Sequence, residues 1–180
     1  MPKTVIANPI ELVTATLTRP TEAPAVQYAT GDVMANSLTA PTVLTFANVA
    51  DYAGQGGSIL NLLVAGSANQ ATKPAFYIYL FDTAPTQPND NAAWAPTDAE
   101  MATCLGWFAL TAAGWQVANP GSGGDGNILT QWGGASLASR LQPFQCAAAD
   151  RNLYAIVAMN NTYTPLSAEV FTFRLVAELR

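Results

Sequence analysis

The side chains able to do chemistry in this 180-residue sequence are few, and none of them is histidine. That removes the Ser-His-Asp and Cys-His nucleophile systems, an imidazole base near neutral pH and an imidazole metal ligand. Twelve carboxylates, two cysteines and a glycine-rich loop remain. Asp82 ends an apolar run and opens Asp82-Thr83-Ala84, the way one carboxylate of an aspartic-protease pair is presented. Pro85 follows at once, and no second apolar-apolar-Gly segment braces such a loop. Asp82 therefore reads as a strand-end residue whose side chain caps the next turn.

Gly121-Ser122-Gly123-Gly124-Asp125-Gly126 matches the dinucleotide fingerprint letter for letter. The fingerprint works only between a strand and a helix whose N-terminus holds the pyrophosphate. Here Asn119-Pro120 precedes it and a strand pattern, Asn127-Ile128-Leu129-Thr130-Gln131, follows, so the segment reads as a hairpin loop. Asp82, Asp90 and Asp98 share one long loop without EF-hand spacing, which makes any calcium site there opportunistic. Cys104 and Cys146 lack CxxC spacing and read as buried, reduced thiols. No cofactor, metal or catalytic residue is expected.

Only 11% of residues are charged, against roughly 25% in a typical soluble domain. The exposed surface must then be built largely from hydroxyls, amides and apolar atoms, part of it covered by other subunits. A net charge of −5 with seven scattered basic residues argues against nucleic acid as a partner. No run reaches the ~20 apolar residues a membrane-spanning helix needs, and the N-terminus has no apolar signal-peptide core. The expected product is soluble and made in a cytoplasm.

Period-two alternation positions these residues on strands. From residue 169 to 180, Phe171, Phe173, Leu175, Ala177 and Leu179 alternate with mostly polar neighbours, the mark of a half-buried strand. Similar runs occupy 10–18, 42–48, 58–65, 75–81, 107–111, 127–131, 141–147 and 152–159. Gly, Asn and Pro clusters separate them. The pattern predicts an all-β, two-sheet antiparallel sandwich, residues 25–180, preceded by an N-terminal arm or edge strand over 1–24, where four prolines disfavour a central strand. One short helix is expected from Thr97, which with Glu100 forms a capping box, to about Gly106. Residues 83–106 are thus a long excursion between strands, of the kind that carries function or packs on a partner.

Trp94, Trp107, Trp115, Trp132, Tyr28, Tyr52, Tyr154 and Tyr163 could form a stacking platform for sugars, although core packing accounts for most such aromatics. Trp94 is the exception: it sits in the excursion between Ala93 and Ala95, too small to bury it locally, and is a candidate interface anchor.

Four segments resemble the decoration, or cement, proteins of tailed-bacteriophage heads. They are Tyr28-Ala29-Thr30-Gly31-Asp32-Val33; Gly57-Ser58-Ile59 leading to Val64; Lys73-Pro74 through Leu80-Phe81-Asp82, closed by Pro85; and Asp90-Asn91-Ala92-Ala93 with Thr97-Asp98 and Met101. The resemblance covers roughly residues 25 to 105. It implies a jelly-roll-like sandwich, assembled as a homotrimer or homodimer, that binds the major capsid protein on the outside of the virion shell and performs no catalysis. Tyr28, Asp32, Pro85, Asp90 and Trp94 are the interface candidates. Competing readings are a carbohydrate-binding sandwich using Trp94, Trp115 or Trp132, and a tail or neck component of the same virion.

Overall fold

A computed structural model of the chain describes residues 8–21, 26–117, 127–131 and 142–180. Its strands are β1 (Ile10–Thr18), β2 (Val33–Met34), β3 (Leu44–Phe46), β4 (Gly56–Gly66), β5 (Phe76–Phe81), β6 (Cys104–Leu110), β7 (Trp115–Val117), β8 (Asn127–Gln131), β9 (Gln142–Gln145), β10 (Leu153–Met159) and β11 (Val170–Leu179). A four-residue helix, α1 (Asp98–Met101), precedes β6. The fold is a two-sheet antiparallel sandwich. One sheet runs β1-β11-β4-β8-β7, with β9 beside β4; the other runs β2-β10-β5-β6, with β3 beside β10.

The alternation in the last strand explains the first sheet. Phe171, Phe173, Leu175, Ala177 and Leu179 of β11 are all buried, and Thr172, Arg174 and Val176 face the other way. β1 pairs with β11 over nine residues, from Ile10 opposite Glu178 to Thr18 opposite Val170. The prolines at 9 and 20 lie just outside this span, so the ladder loses no N–H donor to them. Over Ile10–Thr18 the N-terminal segment is therefore an edge strand of the sandwich. On its other side β11 pairs with β4, with an irregularity between Val176 and Ala177.

β10 is the centre of the second sheet, flanked by β5 on one side and by β2 and β3 on the other. Its sequence LYAIVAM is buried at nearly every position, which requires cover on both faces. The inner face packs against the first sheet in the main core, around Phe76, Phe171, Phe173 and Met159. Phe76 meets Phe171 edge to face, with ring centroids 5.4 Å apart. The outer face has a smaller cluster of its own, Val33, Ala35, Phe81 and Ile156.

Two expectations are corrected here. The capping box at Thr97 and Glu100 is present, yet the helix ends at Met101, and β6 has begun by Cys104. Gly106 is no helix stop: it lies within β6 at φ 143°, beside a register shift against β5. Cys146 is buried, as expected, but Cys104 is only half-buried. The glycine-rich segment 121–126 lies outside the described residues, although the strand expected after it is present as β8. Among the described residues no helix is long and apolar enough to cross a membrane.

Candidate functional site

The excursion between β5 and β6 does not swing free; a buried polar cluster ties it to the body of the sandwich. Arg19, just past β1, is only 2% exposed. Its Nη2 reaches Asp90 Oδ2 at 2.9 Å, its Nε donates to the Tyr28 hydroxyl at 2.6 Å and its Nη1 donates to the Leu166 carbonyl at 3.2 Å. The guanidinium also lies 5.0 Å from the centre of the Tyr28 ring. Tyr28 in turn donates to Asp90 Oδ1 at 2.6 Å, and the same oxygen accepts the Ala35 N–H at 2.9 Å. A buried charge persists only when paired and hydrogen-bonded, and Arg19 and Asp90 meet that condition.

A second tyrosine-carboxylate pair adjoins the first. Tyr28 and Tyr163 form an isolated antiparallel bridge, and the Tyr163 hydroxyl lies 2.7 Å and 2.9 Å from the two Glu169 oxygens. Burial pushes both tyrosine hydroxyls well above their ordinary range, reinforced by the adjoining carboxylates. Burial likewise raises the Glu169 carboxyl, against the lowering effect of Tyr163 and the Leu166 N–H.

Tyr28 and Asp90, expected at an interface, are therefore internal. The reason is physical: Arg19 needs a carboxylate, and Asp90 together with Tyr28 satisfies it away from water. Pro85 is also buried, and Asp32 is a half-buried turn residue whose carboxylate accepts the Ala29 N–H at 2.6 Å. The backbone of Asp32 bridges to Ala93, Asn91 N–H donates to the Val33 carbonyl at 2.9 Å, and Trp94 N–H donates to the Gly31 carbonyl at 3.0 Å. Asp82 does not cap its turn through Oδ1, which is buried without a hydrogen-bond partner. Among the described residues no group of three or more Cys, Asp or Glu is placed to hold a metal ion.

The strapped excursion delivers Trp94 to the outer face of the second sheet. Its ring sits 4.0 Å from Tyr79 and 6.4 Å, edge on, from Phe81. Local burial of Trp94 is thus achieved by β5 and not by its alanine neighbours. Register places the rest of the face. In β5 the sequence Phe-Tyr-Ile-Tyr-Leu-Phe sends Phe76, Ile78 and Leu80 inward and Tyr77, Tyr79 and Phe81 outward. Tyr79 lies opposite Trp107 of β6, and Tyr77 opposite Ala109. On the other side Tyr77 faces Ala158, and Tyr79 faces Ile156. Trp107 meets Tyr77 at 5.4 Å and 81° and is 56% exposed.

A continuous row of rings, Trp94-Tyr79-Trp107-Tyr77, thus crosses the outer face and forms a candidate binding surface among the described residues. Of the expected platform residues, Trp94 and Trp107 belong to it. Trp115 is buried and donates its indole N–H to the Pro74 carbonyl at 2.7 Å, while Trp132 lies outside the described residues. Tyr77 and Tyr79 were not singled out, although the parity of β5 carried the signal. Protein families and curated proteins return no match to the chain.

The titrating groups set a pH profile. With no histidine in the chain, no imidazole contributes to the pH dependence of stability. Burial raises the Cys146 thiol to about 11 and holds Tyr28 and Tyr163 higher still. Each then keeps its proton in the folded chain after the unfolded chain has lost it. The stability these groups contribute is complete below their unfolded values and is lost as pH rises toward the folded ones. Thermal scans should therefore fall away above about pH 9. Glu169 has the same sign at lower pH: its contribution is complete below the usual carboxylate range and shrinks as pH rises through its raised value. The depressed carboxyls, Glu100 at about 2 and Asp150, act oppositely: their contribution is complete above the usual carboxylate range and is lost as pH falls through their lowered values. A midpoint that climbed from pH 8 to 10 would contradict this assignment.

Proposed function

We propose that this protein is a non-enzymatic virion component that binds the outside of a tailed-phage head shell and stabilises it, through the major capsid protein. The observation that carries the reading is the convergence of the resembling segments. Tyr28 and Asp90 open two segments separated by 62 positions and are hydrogen-bonded to each other. Asp32 and Ala93, from the same two segments, form a bridge. The third segment supplies β5, on which Trp94 rests. Three of the four resembling segments thus meet in one structural unit, the strap and the strands beneath it, while the second supplies β4 of the other sheet.

The surface agrees with a covered protein. Ile10 and Leu12, on the outward side of the edge strand β1, are 64% and 62% exposed, in a chain with little charge elsewhere to keep such residues solvated. A protein that binds only the expanded shell stabilises it by linkage, by about 2.7 kcal/mol per site at a free concentration of 100 Kd. Copies joined as a homotrimer or homodimer would hold on longer than single copies. This chemistry needs shape and adhesion, and no proton transfer.

The test is to mix the purified protein with expanded and with unexpanded head shells, sediment them and melt them. Expected are co-sedimentation with expanded shells and a raised shell melting temperature. Failure to bind either shell, with melting unchanged, would remove the role.

A further inference from the structure

We propose that the outer face of the second sheet is a binding site for a neutral oligosaccharide, whose sugar rings stack on Trp107, Tyr77 and Tyr79. The rings are open to a ligand. Trp107 is more than half exposed, and the cross-strand neighbours of Tyr77 are the small residues Ala158 and Ala109. The rings are also held in place before any ligand arrives. Tyr77 and Tyr79 are centred 6.3 Å apart, Tyr79 is backed by Trp94 at 4.0 Å, and the strap holds Trp94 through its backbone. Such preorganisation reduces the ordering cost of binding.

The polar and charge character selects the ligand class. Among the described residues, the hydroxyls of Tyr77 and Tyr79 and the indole N–H groups of Trp94 and Trp107 have no hydrogen-bond partner, and they are not buried. An apolar row edged with free donors and acceptors matches a ring whose C–H face is apolar and whose rim carries hydroxyls. Charge gives the complement: neither the four ring residues nor their cross-strand neighbours Ala109, Ile156 and Ala158 carry any. Among these residues a sialylated or uronic glycan would find no cation to pair with. A quaternary ammonium also favours ring faces, but recognition of that kind uses an enclosing cage, whereas these rings lie along a surface. The site is separate from the shell-binding role and stands or falls without it.

The full-length protein is titrated with cellohexaose, maltoheptaose and chitohexaose, with tryptophan fluorescence and calorimetry as readouts. At least one neutral oligosaccharide should give a saturable signal. Trp107→Ala and Tyr77→Ala, both on the outer face, should each weaken it by about tenfold or more. Tyr52→Ala, an exposed tyrosine on a distant turn, should leave it unchanged, and thermal scans confirm that the variants fold. The proposal is overturned if none of the three sugars binds, if Trp107→Ala binds as the parent does, or if tetramethylammonium binds and the sugars do not. It is equally overturned if Trp107→Ala abolishes shell binding while no sugar binds, because the face is then a protein-docking surface.

Discussion

Replacing Asp90 with alanine should destabilise the protein by about 3–5 kcal/mol, the range for breaking a buried ion pair from one side. The substitution strands more than a charge. Arg19 keeps only the Tyr28 hydroxyl and the Leu166 carbonyl, the Tyr28 hydroxyl loses its acceptor, and the Ala35 N–H is left unsatisfied. A domain of this size loses about 2–4 °C of thermal midpoint per kcal/mol, so a fall on the order of 10 °C is expected in a thermal scan. The pair itself need not be net stabilising, because desolvating two ions offsets most of their attraction. Arg19→Met combined with Asp90→Leu should therefore recover a good part of the loss, and the double-mutant cycle should show strong coupling. A loss below about 1 kcal/mol for Asp90→Ala would mean that the cluster is wetter than its geometry implies.

Arg19 shows where reading the sequence stops. Period two located β1 and β8 to the residue and β11 nearly so, because alternation is a local property. β2 and β7 were missed since two or three residues carry no period. The helix was drawn too long because the capping box fixes where a helix starts and not where it ends. In Cys-Leu-Gly-Trp-Phe-Ala-Leu the pairing with β5 outweighed helix propensity. Tyr28 and Asp90 were read as interface candidates, on the outside, and both are buried. Nothing local distinguishes an aspartate that meets a partner from one that meets an arginine 71 positions away. Trp107 was named among the possible platform rings, and its partners were legible in principle: β5 alternation sends Tyr77 and Tyr79 outward, and the residue opposite Tyr79 must share their face. What was lacking was the register, which is set by tertiary pairing.

Gly57 is the other position where one small change should be costly, and here the cause is backbone proximity. It lies in β4 between two partners, opposite Leu179 of β11 and Phe144 of β9. A Cβ added to Gly57 would overlap the Glu178 carbonyl oxygen and would sit 2.9 Å from the Phe144 ring. The ring can turn aside, but the carbonyl belongs to the ladder between the two longest of the described strands and cannot move without parting them. Gly57→Ala is therefore expected to cost about 3 kcal/mol, at the upper end for overpacked sites. The effect should be on the β4–β11 pairing, visible as faster amide exchange at Arg180, whose N–H donates to the Gly56 carbonyl at 3.0 Å, than elsewhere in the sheet. Gly31→Ala supplies the contrast: its φ is +93° and nothing lies within 4 Å of the added carbon, so it should be strained locally but leave the ladder intact. If Gly57→Ala were tolerated as well as a surface change, β4 and β11 would have to be further apart at this point than their register implies. The glycine that opens the second resembling segment would then need some other reason to be there.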